Sequence, residues 1–367
     1  MSALTDRLLE RIRLEGPITF YEWMKAALYD PEQGYYCRSD RERWGREGDY
    51  RTSPERSVLF AATFARYFAT LYQDLGLPAA LTIVEVGAGS GHFAETVLET
   101  LQLRFPDIFS KTHYFIDEAS PDSWSRARLR LERFGTVVEF EPLAALDPLD
   151  HAIVFSNELL DAFPVHRVVM QGGELRELHV GVNESGRFDW IVGQLSKDRL
   201  SEHFVRLGIR LGEGQIAEVN LEMENWLELV SKKLRSGYLI TVDYGAEASV
   251  LYSKGERREG SLRAFHKHQV SGDVLLQPGQ QDITSSVDWT VVQMVGARNG
   301  FGVVVFERQD RFLLDAGLLM EMELRVSEMS RESERLRVST SAREMILPGS
   351  LAESFQVMVQ KRNVDSL

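Results

Sequence analysis

An α/β protein with a mostly parallel central sheet and an antiparallel last strand is what this 367-residue sequence predicts. Three observations carry that reading. The stretch from Ile83 to Leu101, IVEVGAGSGHFAETVLETL, passes from an apolar run through Gly87, Gly89 and Gly91 into a helical period. That is a strand, a tight turn and a helix N-terminus, and glycine leaves the turn's backbone open to a ligand. Downstream, apolar strands alternate with helical stretches and end in polar or glycine residues, as parallel sheets do. Near the end, FGVVVFERQ (301–309) and SFQVMVQKR (354–362) read as antiparallel partners.

Taken in order, Leu4, Leu8, Leu9 and Ile12 recur at a helix period, and Gly16-Pro17 stops the helix. Thr19 is placed to cap a second helix carrying Phe20, Trp23, Met24 and Leu28. A polar, glycine-containing loop follows, then a third helical pattern to Leu75, ended by Gly76 and Pro78. After the glycine turn, strands are expected at Tyr114–Ile116, at Thr136–Phe140, within AIVFSNELLDAFP and over GYLITVDYG (237–245). Residues 165–190 read as hairpin material, with turns at Gly172-Gly173 and Gly186. Residues 246–289 show little period and read as a long ordered loop of the functional kind. Helical patterns fill 309–329, and a charged segment follows.

Composition narrows the function. The chain is 44% hydrophobic and 26% charged, as globular proteins are, with net charge −13. Such an acid excess disfavours nucleic acid and anionic membranes and suits basic substrates. Cys37 is the only cysteine, which excludes an intrachain disulfide and a multi-cysteine zinc site. No run approaches the ~18 apolar residues of a membrane span. The N-terminal MSALTDRLLERIRLEG has no apolar signal core, and Asp6, Glu10 and Glu15 argue against a transit peptide, so the expected location is cytoplasmic.

Three groups of residues carry candidate chemistry. Glu118 ends the second strand, where an acid accepts hydrogen bonds from ribose hydroxyls; a solvated strand-end acid is the alternative. Asn157, Glu158 and Asp161 follow the fourth strand, and either clamp a cationic acceptor or cap a helix. His266 and His268 stand two apart, and only Asp273 or Asp282 offers a third metal ligand, so no metal is expected. For Asp282 and Asp288 helix capping is the plainer reading. No G-x-S-x-G, Walker loop or H-E-x-x-H is present, so hydrolase, kinase and zincin chemistry have no footing.

Glu85 stands two residues before Gly87, giving E-x-G-x-G-x-G rather than the dinucleotide G-x-G-x-x-G. With ITFYEWMKAALYDPEQGYY, GDYRTSPERS, DEASP, FSNELLDAFP, ITVDYG, SLRAFHKHQV and PGQQDITSSVDW in this order, the chain resembles a known family. That family is the S-adenosylmethionine-dependent methyltransferases related to the mitochondrial complex I assembly factor that methylates an arginine. The resemblance implies a class I methyltransferase (Rossmann-like) core over 79–367, with insertions at about 165–235 and 246–289 and a helical N-terminal extension over 1–78 packed on the core. It implies S-adenosyl-L-methionine held by Glu85, Gly87, Ala88, Gly89 and Gly91, with Glu118 on the ribose and Thr52, Ser53 and Pro54 closing nearby. Asn157, Glu158 and Asp161 would border the methyl group, and His268 would accept the released proton. The implied substrate is an arginine of a partner protein. Competing readings are a small-molecule methyltransferase and a cofactor-binding assembly factor acting by protein–protein contact. The oligomeric state is left open. The family's GPGRG reads GAGSG here, a change that cofactor binding tolerates.

Overall fold

The computed structural model describes residues 2–38, 58–253, 255, 257–266, 269–347 and 354–363. The chain opens with α1 (Ala3–Glu15), capped by the Ser2 hydroxyl and burying Leu4, Leu8, Leu9 and Ile12 along one stripe. After β1 (Ile18–Thr19), Thr19 and Glu22 form a reciprocal capping box that starts α2 (Phe20–Tyr29). Next come α3 (Val58–Asp74), β2 (Leu81–Val86), α4 (His92–Arg104) and β3 (Thr112–Asp117). Ser120 caps α5 (Pro121–Leu131), whose first residue is a proline, and β4 (Val138–Phe140) and β5 (Ala152–Asn157) follow.

The middle of the chain holds β6 (His166–Gln171), β7 (Glu174–Val182), β8 (Phe188–Gly193), α6 (Arg199–Leu207) and β9 (Ile216–Val219). Then come α7 (Leu221–Lys233), β10 (Gly237–Ala246), β11 (Arg263–His266), β12 (Gln269–Ser271), β13 (Asp282–Thr284) and β14 (Val287–Asp288). The last part is α8 (Trp289–Arg298), β15 (Phe301–Arg308), α9 (Gln309–Asp315), α10 (Leu318–Glu328), α11 (Glu332–Ile346) and β16 (Phe355–Arg362).

Packing separates two compact units. One comprises the described residues of Arg51–Leu159, Leu227–Tyr244 and Gln293–Leu367. Its sheet runs β15-β16-β10-β5-β2-β3-β4, parallel from β10 to β4, with β16 antiparallel to both neighbours. This is the expected architecture, and the terminal partners pair as read. Val86 lies opposite Asp117 and Ser156, and Asn157 opposite Val242, so the carboxyl ends of four strands line up. One face buries an aromatic cluster from α3, α4 and β5, in which Phe93 and Phe155 stack at 4.3 Å.

The other unit comprises the described residues of Met1–Tyr50, Leu160–Trp226 and Gly245–Val292. In it α1 and α2 share a core with β1, β7, β11 and β13, centred on Phe20, Trp23 and Met24. The antiparallel sheet β1-β7-β6-β9, with β8 on β7, contains the hairpins expected from the glycine turns. The loop reading of 246–289 is corrected: β12-β11-β13 form a small antiparallel sheet there. These strands have three or four residues each, too few for alternation to stand out from loop sequence.

Candidate functional site

The glycine turn joins β2 to α4. Gly87, Gly89 and Gly91 have φ of 75°, 55° and 79°, a region L-residues with a Cβ rarely adopt. At Gly91 an added Cβ would also lie 3.1 Å from the Ala127 backbone, so glycine lets α5 pack against the start of α4. Gly87 is exposed and Ala88 is buried, which leaves backbone at the rim of the turn. Glu85 is not brought to that rim: it is 4% exposed, and its Oε2 accepts from the Tyr114 hydroxyl at 2.7 Å. Burial pushes its carboxyl up to about 8, with Tyr114 working against the shift and the Glu118 charge adding to it. It braces the strand end as a largely neutral acid.

Glu118 is half-buried just past β3, and its two oxygens accept from the Gly89 N–H at 2.7 Å and the Ser120 N–H at 2.6 Å. These bonds fix the carboxylate beside the turn. A carboxylate accepts and never donates when ionised, which suits it to ligand hydroxyls. Exposed glycine backbone beside an anchored bidentate acceptor fits the adenosine end of S-adenosyl-L-methionine. Asp117 serves the scaffold instead: its Oδ2 accepts from Leu143 N–H at 2.9 Å, and burial raises its pKa.

Asn157, the last residue of β5, and Glu158, the first residue past it, are half-buried. Asn157 Nδ2 donates to Glu158 Oε1 at 3.2 Å, while Asn157 Oδ1 is buried without a hydrogen-bond partner among the described residues. Glu158 has φ of 51°, and its N–H donates to the Val242 carbonyl at 2.9 Å. Left-handed backbone at a non-glycine residue stores of order 1–3 kcal/mol and clusters at functional sites.

Asp161, in the other unit, is 4% exposed. Its carbonyl accepts from Ser285 N–H at 2.9 Å, and the Leu160 carbonyl accepts from Asn220 Nδ2 at 3.0 Å. Asp282 Oδ1 accepts from the Tyr36 hydroxyl at 2.7 Å, and Asp288 Oδ1 accepts from Val291 N–H at 3.2 Å, the capping role expected for Asp288. Asp273 closes a turn onto Leu275 N–H. Among the described residues no group of His, Cys, Asp and Glu is arranged to hold a metal. Thr52, Ser53, Pro54 and His268 lie outside the described residues.

Sequence reasoning missed Asn220 and the buried pair His166–Glu177, in which Nδ1 and Oε1 stand 2.7 Å apart. Asn220 had one signal, its place just before a helical period; His166 had none beyond following NELLDAFPV.

Comparison with known proteins agrees with this geometry. Residues 63–306, more than half of the chain, match the family described as "Putative S-adenosyl-L-methionine-dependent methyltransferase". A Drosophila melanogaster relative, named protein arginine methyltransferase NDUFAF7 homolog, mitochondrial, is 26% identical over 81% of this chain and 71% of its own length. The Mus musculus protein arginine methyltransferase NDUFAF7, mitochondrial, is 23% identical over 97% of this chain and 83% of its own. A Burkholderia thailandensis crystal structure bound to S-adenosyl-homocysteine is 27% identical, covers 99% of this chain and 92% of that one, and superposes with a TM-score of 0.87. The cytoplasmic expectation is corrected by the relatives, which are named mitochondrial. Among the described residues no helix is long and apolar enough to cross a membrane. With the glycine turn, the anchored Glu118 and the sheet order all in place, the chain belongs to this family of S-adenosyl-L-methionine-dependent methyltransferases.

Proposed function

We propose that the chain methylates an arginine side chain of a protein substrate. One observation carries this: among the described residues Asn157 Oδ1 is buried with no partner, beside the Glu158 carboxylate and at the end of the strand next to the glycine turn. Both groups are acceptors, so the matching ligand is rich in N–H donors and has no acceptor of its own. A guanidinium, with five N–H groups in a planar fork, is that ligand. The names of the relatives support the same substrate class.

The bound cofactor supplies a sulfonium methyl open to in-line attack. The chain's part is alignment and charge placement. A guanidinium stays protonated at physiological pH and spreads its lone pairs over three nitrogens. Carboxylates at Glu158 and Asp161 orient it and draw positive charge away from the attacking nitrogen, and Asn157 Oδ1 accepts from one of its N–H groups. His268 takes the released proton. Glu118 and the turn of Gly87, Ala88, Gly89 and Gly91 hold the cofactor, and Thr52, Ser53 and Pro54 contribute to its binding. The insertions at about 165–235 and 246–289 in a core of 79–367 select the acceptor, and 1–78 form the N-terminal extension.

The test is Glu158→Gln. Turnover should fall by at least about 100-fold, the scale of lost charge placement, while S-adenosyl-homocysteine affinity stays within about threefold of the parent. Equal loss of both would assign Glu158 to the cofactor or the fold instead.

A further inference from the structure

We propose that Asn220 is a positioning residue for methyl transfer, setting the main chain that carries Asp161. This rests on the reading that the Asp161 carboxylate faces the acceptor. The Leu160 and Asp161 carbonyls belong to the two peptide groups that flank the Asp161 Cα, and each is held from outside the segment. Asn220 Nδ2 donates to the first at 3.0 Å, and Ser285 N–H donates to the second at 2.9 Å. With both peptide planes fixed, the φ and ψ of Asp161 are fixed too, and with them the direction of its Cβ.

Asn220 itself has a firm base. It follows β9 and precedes α7, and its Oδ1 accepts from Met223 N–H at 2.8 Å, satisfying one of the helix's orphan donors. In the first turn of α7 the buried Glu224 receives Arg206 Nη2 at 2.7 Å and Arg199 Nη2 at 3.2 Å. His203 Nδ1 stands 3.8 Å from the same carboxylate, and its Nε2 lies 2.9 Å from the Tyr252 hydroxyl. Asn220 is therefore a rigid link between a tethered helix start and the segment bearing Asp161.

Only one amide orientation satisfies both bonds, since the oxygen must meet an N–H and the nitrogen a carbonyl. Of the residues that cap helices well, asparagine is the one that also offers a donor at this reach.

A ligand-binding role for the same residues fails on size. The cavity lined by Asn220, Ser285, Asp288, His203 and Tyr252 measures about 20 Å³. That admits about one water and no substrate side chain. Its lining supports the segment rather than holding an acceptor.

The experiment compares Asn220→Asp, Asn220→Ala and Asp161→Asn. The assay is incorporation from methyl-tritiated S-adenosyl-L-methionine into the protein fraction of a cognate lysate, with S-adenosyl-homocysteine affinity and Tm measured in parallel. Asn220→Asp keeps the cap oxygen but sets a carboxylate oxygen against the Leu160 carbonyl. Its rate at saturating cofactor should fall about 10- to 100-fold, the scale of a misplaced reacting group. Its Tm and affinity should stay near the parent's, and its KM for the cofactor should move less than its rate. Asn220→Ala, which loses the cap as well, should lower both the rate and Tm. If Asn220→Asp does not fold, Asn220→Ser, which keeps a capping oxygen, carries the same expectation. Parent-like turnover by Asn220→Asp overturns the proposal, and so does parallel loss of rate, affinity and Tm. Parent-like turnover by Asp161→Asn would instead sink the reading of Asp161. An inactive Asp161→Asn beside a fully active Asn220→Asp would defeat this inference alone.

Discussion

Glu85 and Glu224 are both buried acids, yet their environments drive them in opposite directions. Burial raises Glu85 to about 8, so its neutral form is favoured in the fold. The unfolded chain ionises it near 4.5, so its contribution is fully present below that value and is lost as pH rises towards 8. Glu85→Gln, a neutral isostere, should therefore gain Tm relative to the parent from pH 5 to 8, read by thermal melts across that range. Constant spacing of the two melt curves would contradict the buried neutral acid. For Glu224, burial works upward, but His203 and Arg206 hold the carboxylate down at about 2. Its contribution is present above the unfolded value of 4.5 and disappears as pH falls from there towards 2. Glu224→Gln should flatten the acid limb of the stability profile, measured by urea melts between pH 5 and 3.

At the scale of elements, the turn after β5 and the seat of α10 yield predictions of different kinds. Glu158 occupies left-handed backbone that glycine adopts freely. Glu158→Gly relieves about 1 kcal/mol of strain against a similar entropic cost, so it should be no less stable than the parent yet inactive. A large loss of Tm would show that the side chain, not the catalytic geometry, justifies the strained turn. In the same unit, Arg66 donates from Nε and Nη2 to Glu321 Oε1 at 2.9 and 2.6 Å, and Glu321 is fully buried. Arg66→Met strands that carboxylate and should cost about 3 kcal/mol, whereas Arg66→Met with Glu321→Met should recover most of it. A double-mutant cycle on chemical denaturation measures both.

Elements differ in how plainly the sequence announces them. The path from β2 through the glycine turn to α4 was legible because an apolar run, three glycines and a helical period each leave a distinct mark. β15 and β16 were legible as alternating partners. The small sheet β12-β11-β13 was not, since its strands are short and its registers join residues up to 21 positions apart in sequence, as with Arg263 and Thr284. The charged run after Met329 forms α11, with only Val338, Ala342 and Met345 buried, a stripe too narrow to stand out among its charges. The positive φ of Glu158 leaves no trace in composition. Asn220 looks like any helix cap until its second bond, to a residue 60 positions away, is seen.

For the whole molecule, bulk composition bounds less than it first suggests. The acids of the N-terminal segment argued against an organellar address, but Leu4, Leu8, Leu9 and Ile12 of that segment are buried in a folded core. Its sequence reports packing, and the relatives named mitochondrial correct the inference. The glycine turn, by contrast, makes a prediction for the molecule as a whole. Gly89→Val forces a β-branched residue into left-handed backbone where the amide holds Glu118. Binding of S-adenosyl-homocysteine, read by calorimetry, should fall at least about 100-fold with far-UV circular dichroism unchanged.

Methyl transfer to a protein guanidinium is the reaction proposed for this chain. Its most direct test incubates the purified protein with methyl-tritiated S-adenosyl-L-methionine and a cognate lysate, then hydrolyses the labelled protein fraction and separates its amino acids. Label co-eluting with methylarginine, abolished by Glu158→Gln, is the predicted result. Label confined to the low-mass fraction, or cofactor binding with no incorporation at all, would contradict it.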